Sequence, residues 1–218
     1  MSLRLAVFDC DGTLIDGQAS ICDAMERAFT EHRLPKPQRN DVRRAVGLSL
    51  PQAIRTLLPD ARAEVRAGVA ESYKLAFRAA REGGELQQQL YAGIAPLLDA
   101  LRDAGWLLGV ATGMSQRGLS HCLARHGLTA HFVTLQTADT HPSKPHPAML
   151  EAALEEAGAE PEQAVMIGDT VFDMTMASQA QVPAIGVDWG YHESAELLAA
   201  GALFVARNPR ELQEFLLR

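Results

Sequence analysis

The chain has 218 residues and a mass of 23.6 kDa, enough for one ordinary domain or a larger one carrying a smaller insert. Its 47% hydrophobic and 22% charged residues exclude a disordered or fibrous chain. No apolar run reaches the roughly 18 residues of a membrane span, and a net charge of −7 argues against general nucleic-acid binding.

Leu3-Arg4-Leu5-Ala6-Val7-Phe8 is a short apolar run that ends at Asp9-Cys10-Asp11-Gly12, the pattern of a buried strand stopping at a turn. The acids at Asp9 and Asp11 interrupt any signal-peptide stretch. Cys10, Cys22 and Cys122 are an odd count without metal spacing; they read as reduced thiols of a cytoplasmic protein. From about residue 18 to 82 the periodicity is helical, with Ile21, Met25, Ala28 and Phe29 on one face and Ala53, Ile54, Leu57 and Leu58 on another. Gly83-Gly84 breaks the pattern as a hinge.

Helices then alternate with apolar runs. A helix over about 94–104 leads to a strand Trp106–Ala111, which ends at Thr112-Gly113. A helix to about 126 precedes a strand Phe132–Leu135, and a helix over 146–157 precedes Ala164–Ile167, which ends at Gly168-Asp169. Val182–Val187, Ala202–Val205 and a terminal helix complete the chain. This rhythm predicts an α/β fold, a doubly wound parallel sheet. The helical stretch interrupts it after the first strand, so residues 1–16 and 89–218 form the expected core and residues 17–88 an all-helical insert. The insert carries a net +3 and the rest of the chain −10. That split suits an anionic ligand between them and a cation held by the core, although surface charge also drifts between segments by chance.

Ligands of open parallel sheets bind at the carboxyl ends of the strands. Three such ends here carry Asp9 and Asp11, Thr112 and Gly113, and Asp169, while Lys144 precedes a helix. A carboxylate before glycine at a strand end is a common turn, and each feature alone means little. Together they form an oxygen-rich site for a small hard cation such as Mg²⁺, with a hydroxyl, an amide and an ammonium for phosphate oxygens. Phosphate-cradling glycine motifs and a serine nucleophile elbow are absent.

The run Asp9-Cys10-Asp11-Gly12-Thr13-Leu14-Ile15-Asp16 resembles the D-x-D-G-T-L-x-D signature of the haloacid dehalogenase superfamily. Thr112, Lys144-Pro145 and Gly168-Asp169-Thr170-Val171-Phe172-Asp173 follow in that family's order, and the helical insert sits where capped members carry theirs. The resemblance implies that Asp9 is a nucleophile taking the phosphoryl group and that Asp11 is general acid and then base. It implies Mg²⁺ on the Asp9 and Asp169 carboxylates and the Asp11 main-chain carbonyl, with Asp173 acting through a metal-bound water or by orienting Lys144. Thr112, Gly113 and Lys144 would grip phosphate. Members that dehalogenate lack the acid two residues after the nucleophile, so Asp11 favours phosphoryl transfer. The expected activity is a phosphatase acting on a small phosphorylated metabolite, most like the phosphoglycolate phosphatase group. A phosphomutase similar to β-phosphoglucomutase, a pyrophosphatase and a non-catalytic phosphate-compound binder are the alternatives.

Arg43, Arg44 and Gly47 of the insert are candidate substrate contacts by the same resemblance, against solvated helix arginines. Cys10 lies between two carboxylates that raise a thiol's pKa, so it is expected to be inert filler. Asp16 is expected to cap the first helix of the insert or order the loop. His141 and His146 with Asp139 match no standard metal spacing and read as a solvated loop. Trp189–His192 would shape the rim of the site or pack as a turn.

Overall fold

The computed structural model describes residues 3–218; Met1 and Ser2, at the start of the expected core segment, lie outside them. β1 (Leu5–Phe8) is buried along its whole length because it has a neighbour on either side and helices above and below. β4 (Leu107–Thr112) and β6 (Ala164–Gly168) flank it in parallel, Phe8 standing level with Val110 and Ile167. The sheet runs β5-β4-β1-β6-β7-β8, with β5 at Thr134–Thr137, β7 at Ala184–Val187 and β8 at Phe204–Ala206. Every pairing in it is parallel.

The pleat of β1 divides the core in two. Ala6 and Phe8 face one layer with Leu97, Leu101, Leu119 and Leu212, contributed by α5 (Ile94–Asp103), α6 (Gln116–Arg125) and α10 (Pro209–Leu216). Leu5 and Val7 face Leu150, Met174 and Leu197 of α7 (Ala148–Ala157), α8 (Val171–Gln179) and α9 (Ser194–Ala199). Each large side chain buried this way contributes about 1.5–3 kcal/mol. The chain is the expected doubly wound α/β fold.

Four helices separate β2 (Ile15–Asp16) from β3 (Gln89–Leu90): α1 (Gln18–Glu31), α2 (Arg39–Arg44), α3 (Leu50–Leu57) and α4 (Ala63–Glu82). They close around their own core of Ile21, Met25, Phe29, Val42, Ile54 and Val69. β2 and β3 pair antiparallel, so the chain leaves and re-enters the sheet region through one two-residue ladder. That ladder is too short for a hydrophobic period to reveal. The edge strand β5 starts two residues later than its apolar run suggests. A 3₁₀ turn occupies Thr129–His131, and the buried strand positions are Thr134, Gln136 and Thr137, whose side chains pair with one another and with Gln116, His141 and Glu156. Pairing of β7 begins at Ala184, after Pro183, which has no N–H to donate. Among the described residues no helix is long and apolar enough to cross a membrane.

Candidate active site

The end of β1 sets the geometry. Cys10 O accepts from the main-chain N–H groups of Thr13, Leu14 and Ile15, which winds the chain into a tight loop directly after Asp9. Gly12 sits in that loop at φ +92°, a conformation that costs any other residue roughly 1–2 kcal/mol. A side chain there would also strike Asp169 Oδ2 and come within 2.5 Å of the Tyr191 ring.

Asp169 follows β6. Thr13 Oγ1 donates to its Oδ1 at 2.8 Å and Tyr191 N to its Oδ2 at 3.0 Å. The turn Trp189–His192 therefore packs against the site and positions a carboxylate, and Trp189 Nε1 donates to Thr13 O at 3.0 Å. The side chain missing from Gly190 is what allows that turn to press on Asp169. Asp173 lies in the first turn of α8, where its Oδ2 accepts from Thr170 N and Thr170 Oγ1, at 3.1 and 2.7 Å. Its Oδ1 receives Lys144 Nζ at 2.6 Å.

Lys144 is 1% exposed, and its Nζ also lies 2.9 Å from Asp9 Oδ1. Burial alone would lower this ammonium's pKa; Asp173 and Asp9 outweigh it and hold it above the usual lysine range. Burial raises Asp9 to about 6, with Lys144 opposing. Burial and then the Asp9 charge raise Asp11 to about 7. Burial, followed by Asp9 and Asp173, also raises Asp169. Four buried carboxylates thus share the site with one ammonium, which pairs with Asp9 and Asp173.

Asp9 Oδ2 is buried without a hydrogen bond, and oxygens of Asp9, Asp169 and Asp173 lie within 4.8 Å of one another. A set of hard carboxylate oxygens with excess negative charge fits a small divalent cation. The Asp11 carboxylate stands outside this cluster and, with Asp9, faces a cavity of about 360 Å³. Thr112 and Gly113 line the same cavity, and Met114 N donates to Thr112 Oγ1 at 3.3 Å.

The insert closes over this end of the sheet. A side chain on Gly113 would collide with Leu48 O and sit 2.6 Å from Gly47 O. Ser49 N donates to Ser143 Oγ at 2.8 Å, beside Lys144. Gly47 lines the cavity, whereas Arg43 and Arg44 do not. Arg44 instead makes a two-pronged ion pair with Glu196 of α9, at 3.1 and 2.7 Å, and its carbonyl meets His192 Nε2 at 3.2 Å. Arg44 ties the insert to the sheet region. Nothing in the sequence signals that pair, whose members are separated by 152 positions.

Cys10 and Cys122 are buried neighbours; their mutual contact and then burial raise the Cys10 thiol far above its usual range, with both carboxylates adding to it. Asp16 Oδ1 accepts from Gln18 N at 3.2 Å, at the start of α1. His141 Nε2 meets Gln136 Oε1, His146 Nδ1 accepts from Ala148 N, and Asp139 Oδ2 accepts from Gln116 N. Among the described residues these three do not form a metal cluster.

Residues 6–187 match the family described as haloacid dehalogenase-like hydrolase. The chain belongs to that family. It is 34% identical over 199 residues to a relative named "Probable phosphatase IndB" from Dickeya dadantii, covering 90% of this chain and 86% of the relative. A phosphoglycolate phosphatase from Agrobacterium fabrum is 31% identical over 195 residues, covering 86% and 81%. The crystal structure of a "predicted phosphatase" from Clostridium acetobutylicum superposes with a TM-score of 0.89 at 26% identity, over 99% of both chains. In this hydrolase Asp9 and Asp169 of the acidic cluster follow β1 and β6, and Asp173 stands in the first turn of α8.

Proposed function

We propose that this hydrolase is a magnesium-dependent phosphatase that cleaves a small phosphorylated metabolite through an aspartyl-phosphate intermediate, with residues 17–88 as its substrate-selecting cap. The observation that carries the reading is Asp9: a fully buried carboxylate at the floor of the cavity, with one oxygen 2.9 Å from the Lys144 ammonium and the other without a hydrogen bond. Such a group is costly to keep unless a ligand or reaction uses it.

The Asp9 and Asp169 carboxylates and the Asp11 carbonyl would hold Mg²⁺, which supplies charge neutralisation that lets an anionic nucleophile meet an anionic phosphoryl group. Thr112, Gly113 and Lys144 hold the phosphate oxygens. An Asp9 oxygen attacks phosphorus as the ester P–O bond breaks, and the departing oxygen takes a proton from Asp11. A carboxyl raised to about 7 retains that proton near neutral pH. Asp11 then accepts a proton from the water that attacks the aspartyl-phosphate, which releases inorganic phosphate and restores Asp9. Asp173, with both oxygens already engaged by Lys144 and Thr170, positions the lysine.

Hydrolysis of p-nitrophenyl phosphate by purified protein tests the reading. Activity should require Mg²⁺, vanish in Asp9→Asn with the fold intact, and leave acid-stable labelled phosphate on wild-type protein quenched during turnover. Full activity in excess chelator, or wild-type turnover by Asp9→Asn, would overturn it.

A further inference from the structure

The acidic end of the cavity accounts for a phosphoryl group, but the cavity continues beneath the insert. Its far wall is apolar, with Ile21, Met25, Val46, Leu50, Tyr73 and Phe77. At the edge of that wall the charge turns positive. Lys74, Arg78 and Arg81 enter from α4, and Arg117 enters from α6 on the opposite side. Positions 74, 78 and 81 follow helical spacing and share one face of α4.

These arginines are set apart from the chain's other unpaired arginines by lining the cavity. Arg39, Arg44, Arg207 and Arg210 each have a carboxylate partner. Arg78, Arg81 and Arg117 make no ion pair among the described residues. Arg81 Nε is buried without a hydrogen-bond partner, and its guanidinium lies 5.9 Å from the Phe77 ring centroid. Burial, followed by the charges of Arg117 and Arg78, lowers Arg81 below its usual range, with Glu82 opposing. The carboxylate of Asp139 also lines the cavity, but it accepts from Gln116 N at the start of α6. Arg78 and Arg117 are exposed and Arg81 is half-buried, and the charges of the first two act on Arg81, Arg117 from across the gap between α4 and α6.

We propose that Arg81 and Arg117, assisted by Arg78, form a second anion-binding subsite that takes a carboxylate or phosphate at the far end of the substrate. Resting on the phosphatase reading, the inference narrows the substrate to a phosphomonoester with an apolar body and an anionic tail. The body lies along Met25 and Phe77, and the tail bridges α4 and α6. The tail's binding energy holds the insert closed over the reacting phosphoryl group, so its contacts favour turnover as well as binding.

Matched probes test this: n-hexyl phosphate and two analogues whose far carbon carries a carboxylate or a phosphate. Steady-state kinetics and calorimetry with the corresponding non-hydrolysable phosphonates give independent readouts. Anion-tailed probes should bind roughly tenfold tighter than the hexyl compound, and comparing the two tails ranks carboxylate against phosphate. Arg81→Gln and Arg117→Gln should each erase that preference, Arg81→Lys should keep part of it, and KM for hexyl and p-nitrophenyl phosphate should not move. Equal affinity of wild-type protein for all three probes, or a parallel loss on every probe in the variants, overturns the subsite. Preferential binding of the tailed phosphonates with no hydrolysis of any ester would leave the subsite standing and remove the phosphatase reading. Hydrolysis of every ester without preference would do the reverse.

Discussion

Lys144 and Asp173 meet at 2.6 Å with neither side chain exposed to solvent, and the same ammonium lies 2.9 Å from Asp9. One buried cation thus spans two buried anions. Removing it leaves both carboxylates uncompensated, a change that costs about 3–5 kcal/mol where a buried pair is broken. Lys144→Met should lose about that much stability in urea unfolding with chelator present, and Asp173→Asn in the same background should return part of it. A loss below about 1 kcal/mol, the range of solvent-exposed pairs, would show that the lysine does not carry this role.

The carboxylates also set a pH dependence. Asp11, raised by burial to about 7, holds its proton in the folded chain over a range where the unfolded chain, at about 3.9, has released it. The folded state binds more protons there, so this group's contribution to stability falls as pH rises from about 4 to about 7 and is constant above. Lys144, held above the usual lysine range, stays charged throughout. His121 and His192, both lowered by burial, act in the opposite sense below about 6.5, so the comparison must be between variant and wild type. In chelator, Asp11→Asn should gain thermal stability over wild type progressively across that window and level off near pH 7. A difference that is flat with pH would contradict the shift.

Two of the contacts that hold the insert to the sheet region differ in character. Arg44→Ala breaks the exposed pair with Glu196; it should speed hydrogen exchange in α2 and leave the ranking of substrates unchanged, because Arg44 does not line the cavity. Gly47→Val places a branched side chain at φ +94°, with its Cβ about 3.1 Å from Thr170 Oγ1. The strain is about 1–2 kcal/mol, and displacement of the loop from Gly113 should raise KM across a substrate panel. A changed ranking in Arg44→Ala with a neutral Gly47→Val would invert these roles.

All three cysteines are free and buried, and the Cys10 and Cys22 thiols are both raised. A thiol reagent at about pH 8, where only thiols of ordinary or lowered pKa are ionised, should label none of them rapidly in the native protein and all three after denaturation. Fast labelling of Cys10 in the native fold would mean that the strand-end loop opens.

Much of the site is legible in the sequence because its geometry is local. An apolar run that stops at Asp9-Cys10-Asp11-Gly12 specifies both a strand and the end of it where the acids stand. The spacing of Asp169 and Asp173 likewise puts one carboxylate at the end of β6 and the other in the first turn of α8. Alternating helices and apolar runs then determine a parallel sheet, whose central strands bring those ends together. The tertiary structure alone decides what faces what across long separations. Thr13 bonding Asp169, Ser143 receiving Ser49 N, and Arg44 of α2 pairing with Glu196 of α9 depend on how loops and helices from distant positions pack, which no local period encodes. The unpaired arginines belong to the same class. In the sequence, Arg81 and Arg117 look like ordinary solvated helix residues, and only the approach of α4 to α6 turns them into facing charges on one cavity.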